Sequence, residues 1–134
     1  MGQRGTTPGT TAAPGVEAAP AGVPDVAAAQ YLQVQTTTDS RAEAMELARD
    51  AVQARLAACA QVAGPVMSTY WWDDDLERAE EWLLLLKLPA ARYQELADFL
   101  SQRHSYDEPE IVATPIVRGS AAYLSWMEEE TRPR

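Results

Sequence analysis

The first regular pattern in the chain is an alternation over residues 31–37. Leu32, Val34 and Thr36 share one face of this segment, and glutamines stand between them. Successive side chains of an extended chain point to opposite faces, so the alternation indicates a strand with one covered face. We therefore predict a β-strand here.

After this segment the apolar spacing changes to that of a helix. The apolar positions that recur at helical intervals are Met45, Ala48, Val52, Leu56 and Cys59. Ser40 precedes them, and Glu43 follows Ser40 at the spacing of a capping box. The pattern predicts a helix over about 40–58, with Cys59 on its apolar stripe near the end.

Two long strands joined by an acidic turn come next. The second strand is predicted over about 61–73, with an interruption at Gly64-Pro65. Proline cannot donate to a sheet ladder, so the interruption indicates a bulge or a bend. Three aspartates, 73–75, form the predicted turn, and the third strand then runs to about Leu88.

The third strand carries an unusual apolar run at Trp82–Leu86. This run is apolar on both faces, as in strands that are covered on both sides. Helices of the same chain can cover one face only. The sequence therefore predicts that a neighbouring subunit covers the other.

The remaining pattern predicts a helix, a strand and a terminal helix. Pro89 suits the first turn of a helix, and the apolar side chains of that helix are Tyr93, Leu96, Ala97 and Leu100. A loop over 104–108 leads to a strand over 110–117, where Pro115 indicates an edge or a bulge. A short helix over 121–130 ends the pattern.

The predicted order is β-α-β-β-α-β with a short C-terminal helix. Two crossover units joined by a hairpin, with right-handed crossovers, give the ferredoxin-like arrangement. The predicted fold class is therefore α+β, with an antiparallel four-stranded sheet.

Composition divides the chain into two parts. Residues 1–29 hold five of the seven glycines and four of the nine prolines, with no aromatic residue, leucine or isoleucine. Such a segment cannot bury enough apolar surface to offset its ordering entropy. We predict a disordered tail rich in Ala, Gly, Pro and Thr over 1–29 and one folded domain over 30–134, a size at which assembly into oligomers is favoured.

The net charge of the chain limits the classes of partner that it can bind. The formal net charge is −9, and no basic stripe is visible, which argues against a nucleic-acid partner. No apolar run approaches the roughly 20 residues of a membrane span. Cys59 is the single cysteine, so an intrachain disulfide is impossible and the cytoplasm is the expected compartment.

Four segments together resemble the CutA family of divalent-cation tolerance proteins. They are Leu56-Ala57-Ala58-Cys59-Ala60, Ser68-Thr69-Tyr70-Trp71-Trp72, Glu81-Trp82-Leu83-Leu84-Leu85-Leu86-Lys87 and His104-Ser105-Tyr106-Asp107-Glu108-Pro109-Glu110-Ile111. The resemblance covers about residues 32–127. It implies a ferredoxin-like subunit, a homotrimer built through the long hairpin, and kinship in shape with PII-type signalling proteins.

Two departures from the family pattern stand out. The family usually has glycine in the hairpin turn, where this chain has Asp74-Asp75. The family's usual His-Pro-Tyr is His104-Ser105-Tyr106 here. Without that proline the backbone of His104 is less restricted.

The resemblance implies a ligand cleft between subunits. The predicted ligand-binding residues are Trp72, Lys87, Tyr106 and Glu110. A polar cleft with an aromatic wall would hold a small anion or a metal chelate. The alternative is an ion pair of Lys87 with Glu110 that only fixes the register between subunits.

The predicted metal ligands are His104, Glu110 and Cys59. Imidazole suits copper, zinc or nickel, and carboxylate oxygen can complete such a site. Copper(I) prefers soft ligands, and where some family members carry thiols this chain has Gln35 and Phe99. The expected cofactor is a divalent metal, copper or zinc, although the chain offers few suitable ligands for it. The alternative role of Cys59 is that of a buried core residue.

The sequence lacks the motifs of several enzyme classes. It has no glycine-rich phosphate loop, no nucleophile elbow and no paired histidines. We therefore expect no enzyme, but a cytoplasmic homotrimer that binds a metal ion or small ligand in cation homeostasis or signalling. The alternative is an interaction platform whose clefts only fix the register of the trimer.

Overall fold

The computed structural model describes residues 28–134. The predicted tail lies outside the described residues except for its last two positions. The elements run in the order β1 (Tyr31–Thr38), α1 (Arg41–Gln53), β2 (Cys59–Trp72), β3 (Asp75–Pro89), α2 (Tyr93–Arg103), β4 (Val112–Pro115) and α3 (Ala121–Glu130), with a single 3₁₀ turn at Ala90–Arg92 before α2.

The strands form one antiparallel sheet in the order β2-β3-β1-β4. This order, with α1 and α2 packed together, confirms the predicted α+β, ferredoxin-like fold. β4 is an edge strand that Pro115 ends, as its proline indicated. It is shorter than the predicted 110–117.

The core lies between the sheet and the pair α1 and α2. We call this side of the sheet the inner face. Its buried side chains include Val34, Leu47, Ala51, Leu84, Leu86, Leu88, Leu96 and Leu100. On the opposite, outer face, Leu83 and Leu85 are only half-buried in the single chain. This is the exposure that the two-sided apolar run predicted.

The end of α1 corrects the sequence prediction. The helix ends at Gln53, not near 58, because Arg55 adopts a left-handed conformation with φ 64°. The amide of Leu56 then donates to the carbonyl of Ala51 at 3.0 Å, and that of Arg55 to Val52 at 3.0 Å. This is a Schellman arrangement, in which glycine normally supplies the left-handed residue.

The β2–β3 hairpin extends beyond the rest of the sheet. β1 ends at Thr38, opposite Trp82, so from Glu81 outward β3 pairs only with β2 among the described strands. We call this projecting part, residues 66–72 and 75–81, the ribbon. The register shift between Ala63 and Val66 lies at its base and confirms the predicted bulge.

The ribbon turns over two residues, Asp73 and Asp74. Both have positive φ, 51° and 65°, as in a two-residue type I′ turn. Asp75 already belongs to β3 and pairs with Trp72. The acidic turn is thus one residue shorter than predicted.

Candidate functional site

Lys87 lies on the outer face, opposite Gln33 of β1 and Cys59 of β2. Strand alternation places it there, since Leu86 and Leu88 point into the core. Its Nζ donates to Oε1 of Gln61 at 2.9 Å. The ammonium is therefore held at the surface of the sheet by a neutral amide.

Glu110 lies just before β4 and is half-buried. Its Oε2 accepts a hydrogen bond of 2.9 Å from Nε2 of Gln35, the next outer-face residue of β1 after Gln33. Within the described chain, then, Lys87 and Glu110 each have a glutamine partner and do not pair with each other. The intrachain arrangement leaves both formal charges available to a further group.

His104 begins the loop after α2, with its side chain fully buried. Its Nε2 lies 2.8 Å from the carbonyl oxygen of Thr37, and the amide of Tyr106 donates to its Nδ1 at 3.1 Å. A carbonyl can only accept, so Nε2 carries the proton and the ring is neutral. Burial lowers the pKa of His104, while the carboxylates of Glu43 and Asp39 act in the opposite direction.

Tyr106 lies in the same loop, and its ring packs beside that of His104. Its ring centroid lies 4.9 Å from that of His104, and its hydroxyl donates to Oε2 of Glu81 at 2.9 Å. Glu81 is 1% exposed. Burial raises the pKa of Glu81, but opposing interactions, among them hydrogen bonds from the hydroxyls of Ser68 and Tyr106, hold it below its ordinary value.

The fold agrees with what comparison with known proteins finds. Residues 32–130 match the model of the family described as CutA1 divalent ion tolerance protein. The chain belongs to the CutA1 family. This confirms the resemblance drawn from the four sequence segments.

Relatives of known name support the CutA1 assignment. The chain is 32% identical to the divalent-cation tolerance protein CutA of Salmonella newport over 108 residues, which are 81% of this chain and 94% of that protein. It is 34% identical to the chloroplastic protein CutA of Arabidopsis thaliana over 99 residues, 74% of this chain. There it spans about half (54%) of the relative's length.

Solved CutA1 structures have the same fold. The divalent cation tolerance protein of Thermus thermophilus superposes with a TM-score of 0.74 at 34% identity, covering 76% of this chain and 99% of that one. CutA1 of Oryza sativa gives a TM-score of 0.75 at 30% identity, covering 78% and 95%. The family is named for tolerance of divalent ions and not for a reaction.

The three predicted metal ligands do not converge in this CutA1 chain. Each lies beside a different outer-face residue of β1. Cys59 and Gln33 both pair with Lys87 of β3. Glu110 is hydrogen-bonded to Gln35, and His104 to the carbonyl of Thr37. Both ring nitrogens of His104 are already engaged. Residues 28–134 contain no group of three His, Cys, Asp or Glu that could hold a metal ion.

Cys59 also differs from its predicted position. It is the first residue of β2 and not part of the stripe of α1, because α1 ends six residues earlier, at Gln53. It faces the outer side beside Tyr123 of α3, whose pKa is raised by burial and by the neighbouring Cys59 side chain. The thiol is thus half-buried beneath the terminal helix.

Trp72 lies far from the other predicted ligand residues. It pairs with Asp75 beside the turn, and β3 carries the chain roughly 40 Å from there to Lys87 at ~3.3 Å per residue. Within one chain the aromatic wall cannot form. Only a second copy could bring a Trp72 to a Lys87.

Glu81 and Glu43 also lie in this region, although neither was predicted as a site residue from the sequence. Glu43 accepts from the amide and hydroxyl of Ser105 at 2.9 and 2.8 Å. It therefore binds the loop and does not close a capping box on Ser40. A carboxylate directly before the apolar run Trp82–Leu86 was the available signal for Glu81.

Proposed function

We propose that this CutA1 chain assembles as a homotrimer that binds a divalent metal ion or small ligand in clefts between subunits. The observation that supports this is the outer face of the sheet. There Lys87 and Glu110 lie beside the half-exposed Leu83 and Leu85. An apolar surface with polar groups of both signs suits a covered, partly polar cleft.

The ribbon supplies the second support for assembly. Trp71 is 72% exposed, Met67 63% and Leu76 61%. Large apolar side chains grouped in this way mark interaction surfaces. A neighbouring copy that receives the ribbon would cover them and would bring Trp72 toward the cleft of that copy.

In this proposal the metal is held mainly by carboxylate oxygen. His104 serves the loop, so Glu110 becomes the leading ligand, with donors from another subunit completing the coordination. The role in the cell is cation homeostasis or PII-like signalling. The proposed compartment is the cytoplasm, and cell fractionation with an antibody to the chain tests it.

Calorimetric titration with Zn²⁺ and with Cu²⁺ tests the cleft. We expect Glu110→Gln to weaken binding about tenfold or more, because a neutral amide replaces the anionic ligand. Glu46→Gln, an exposed carboxylate on α1, is the matched control and should bind as the wild type does. Equal binding by all three proteins would refute the role of Glu110.

A specific observation favours the second candidate, an interaction platform. Lys87 and Glu110 already have glutamine partners, and His104 is fully engaged, so the polar groups could serve register alone. Light scattering on Lys87→Met and Glu110→Gln separates the two. The platform would be favoured if these variants no longer formed the trimer and the wild type bound no metal.

A further inference from the structure

The contact between Tyr106 and Glu81 lies where the ribbon leaves the body of the protein. Glu81 is the first residue of β3 beyond the end of β1, and its partner Val66 follows the bulge in β2. The sheet narrows at this point from three neighbouring strands to two. Among the described strands, β2 alone pairs with β3 from this point outward.

The loop that carries Tyr106 is firmly attached to the body. His104 binds the carbonyl of Thr37 at the end of β1, and Ser105 donates twice to Glu43 of α1. The amide of Tyr106 in turn donates to His104. The phenol side chain thus projects from an anchored backbone, and its hydroxyl reaches the base of the ribbon.

The Tyr106–Glu81 hydrogen bond is of a strong kind. Tyr106 is 7% and Glu81 1% exposed, and a buried carboxylate needs hydrogen-bond donors to offset its lost hydration. Bonds to an ionised acceptor are roughly twice as strong as neutral ones. Removing the phenol hydroxyl therefore removes one of the donors that stabilise Glu81 at this position.

We propose that Tyr106 is a positioning residue that couples the loop over 104–111 to the ribbon, so that the two move as one unit. Glu110 lies in this loop, so a change of conformation there is transmitted to the ribbon and the reverse also holds. The coupling requires neither a bound metal nor a trimer. It concerns how one chain orients its projecting hairpin.

Hydrogen exchange of the full-length, metal-free protein tests the coupling. Tyr106→Phe keeps the ring but lacks the hydroxyl. We expect amides at the ribbon base, 66–68 and 80–82, to exchange about tenfold faster than in the wild type, as well as those of the loop. Tyr93→Phe, a half-buried tyrosine on α2, is the matched control and should leave both segments unchanged.

The reciprocal variant Glu81→Gln replaces the charged acceptor by a neutral one. We expect exchange about threefold faster in the loop, and a double variant with Tyr106→Phe that exchanges no faster than Tyr106→Phe alone. The proposal would be overturned if each substitution accelerated amide exchange only in its own segment, the loop or the ribbon base. It would also be overturned if the effects of the two substitutions on exchange were additive in the double variant. Since no metal is added, failure of metal binding cannot imitate either result.

Discussion

His104 shows how burial and hydrogen bonding decide the chemistry of a single residue. Its two nitrogens play opposite roles, donor to Thr37 and acceptor from Tyr106, which only the neutral ring can satisfy. Sequence reasoning selected His104 as a ligand because imidazole binds metals. It could not see that both nitrogens are used inside the chain, because the partners are backbone atoms that any residue type provides.

The pH dependence of stability follows from this burial. Because burial lowers the pKa of His104 below its ordinary 6.5, the unfolded chain takes up a proton first as the pH falls. The contribution of His104 is therefore complete above about pH 6.5 and declines as the pH falls toward the lower, folded-state pKa. Urea unfolding at about pH 7.5 and about pH 5.5, at one protein concentration, measures the decline.

His104→Gln provides the comparison. Its amide can still donate to the Thr37 carbonyl, but it does not titrate. We expect a smaller loss of stability between the two pH values than in the wild type. An identical loss in both proteins would assign the pH dependence to other groups.

The turn aspartates lead to a second prediction at this scale. Asp74 has φ 65°, which glycine adopts without the steric cost that a Cβ carries. We expect Asp74→Gly to raise the free energy of unfolding by about 1 kcal/mol. Asp75→Gly, in the extended backbone of β3, should lower it, and thermal unfolding of both variants is the measurement.

At the level of elements, the apolar periodicities predicted each helix and strand, whereas their ends depended on local geometry. Pro115 marked the edge strand correctly because its missing N–H has the same consequence in every sheet. The end of α1 was misplaced because Arg55, and not glycine, takes the left-handed position. The placement of Cys59 on the apolar stripe of α1 was wrong for the same reason.

Helix capping gives the prediction for this scale. The hydroxyl of Ser40 accepts from the amide of Glu43 at 3.0 Å and satisfies a free donor of the first turn of α1. We expect Ser40→Ala to cost about 1 kcal/mol of stability in chemical denaturation. Ser120→Ala, at the exposed and longer cap of α3 (3.3 Å), should cost less. The reverse order would mean that α1 does not depend on this cap.

For the whole molecule, the sequence predicted an incompletely covered sheet and a long hairpin, and the single chain has both. What it could not predict is the distance between Trp72 and Lys87. Motif order along a chain gives no measure of how far a ribbon projects. The proposed site therefore depends on assembly more strongly than the motifs alone suggested.

Assembly itself is open to a direct test. Trp71 and Leu76 are cross-strand neighbours on the ribbon and are largely exposed. We expect Trp71→Lys together with Leu76→Lys to shift the mass measured by light scattering from a trimer toward a monomer, because desolvating unpaired ammonium groups at an interface is costly. Met45→Lys, at an exposed methionine of α1, is the control. A wild type of monomeric mass would reject the trimer.

The bulge in β2 has a consequence for solubility. A long, flat edge strand has unpaired backbone N–H and C=O groups that can pair with a strand of another molecule and template fibrils. In β2 the register shift at Gly64-Pro65 divides this border into Cys59–Ala63 and Val66–Trp72, and Pro65 has no amide proton to offer. Such an interruption allows a limited, specific association while hindering indefinite growth into amyloid-like stacks.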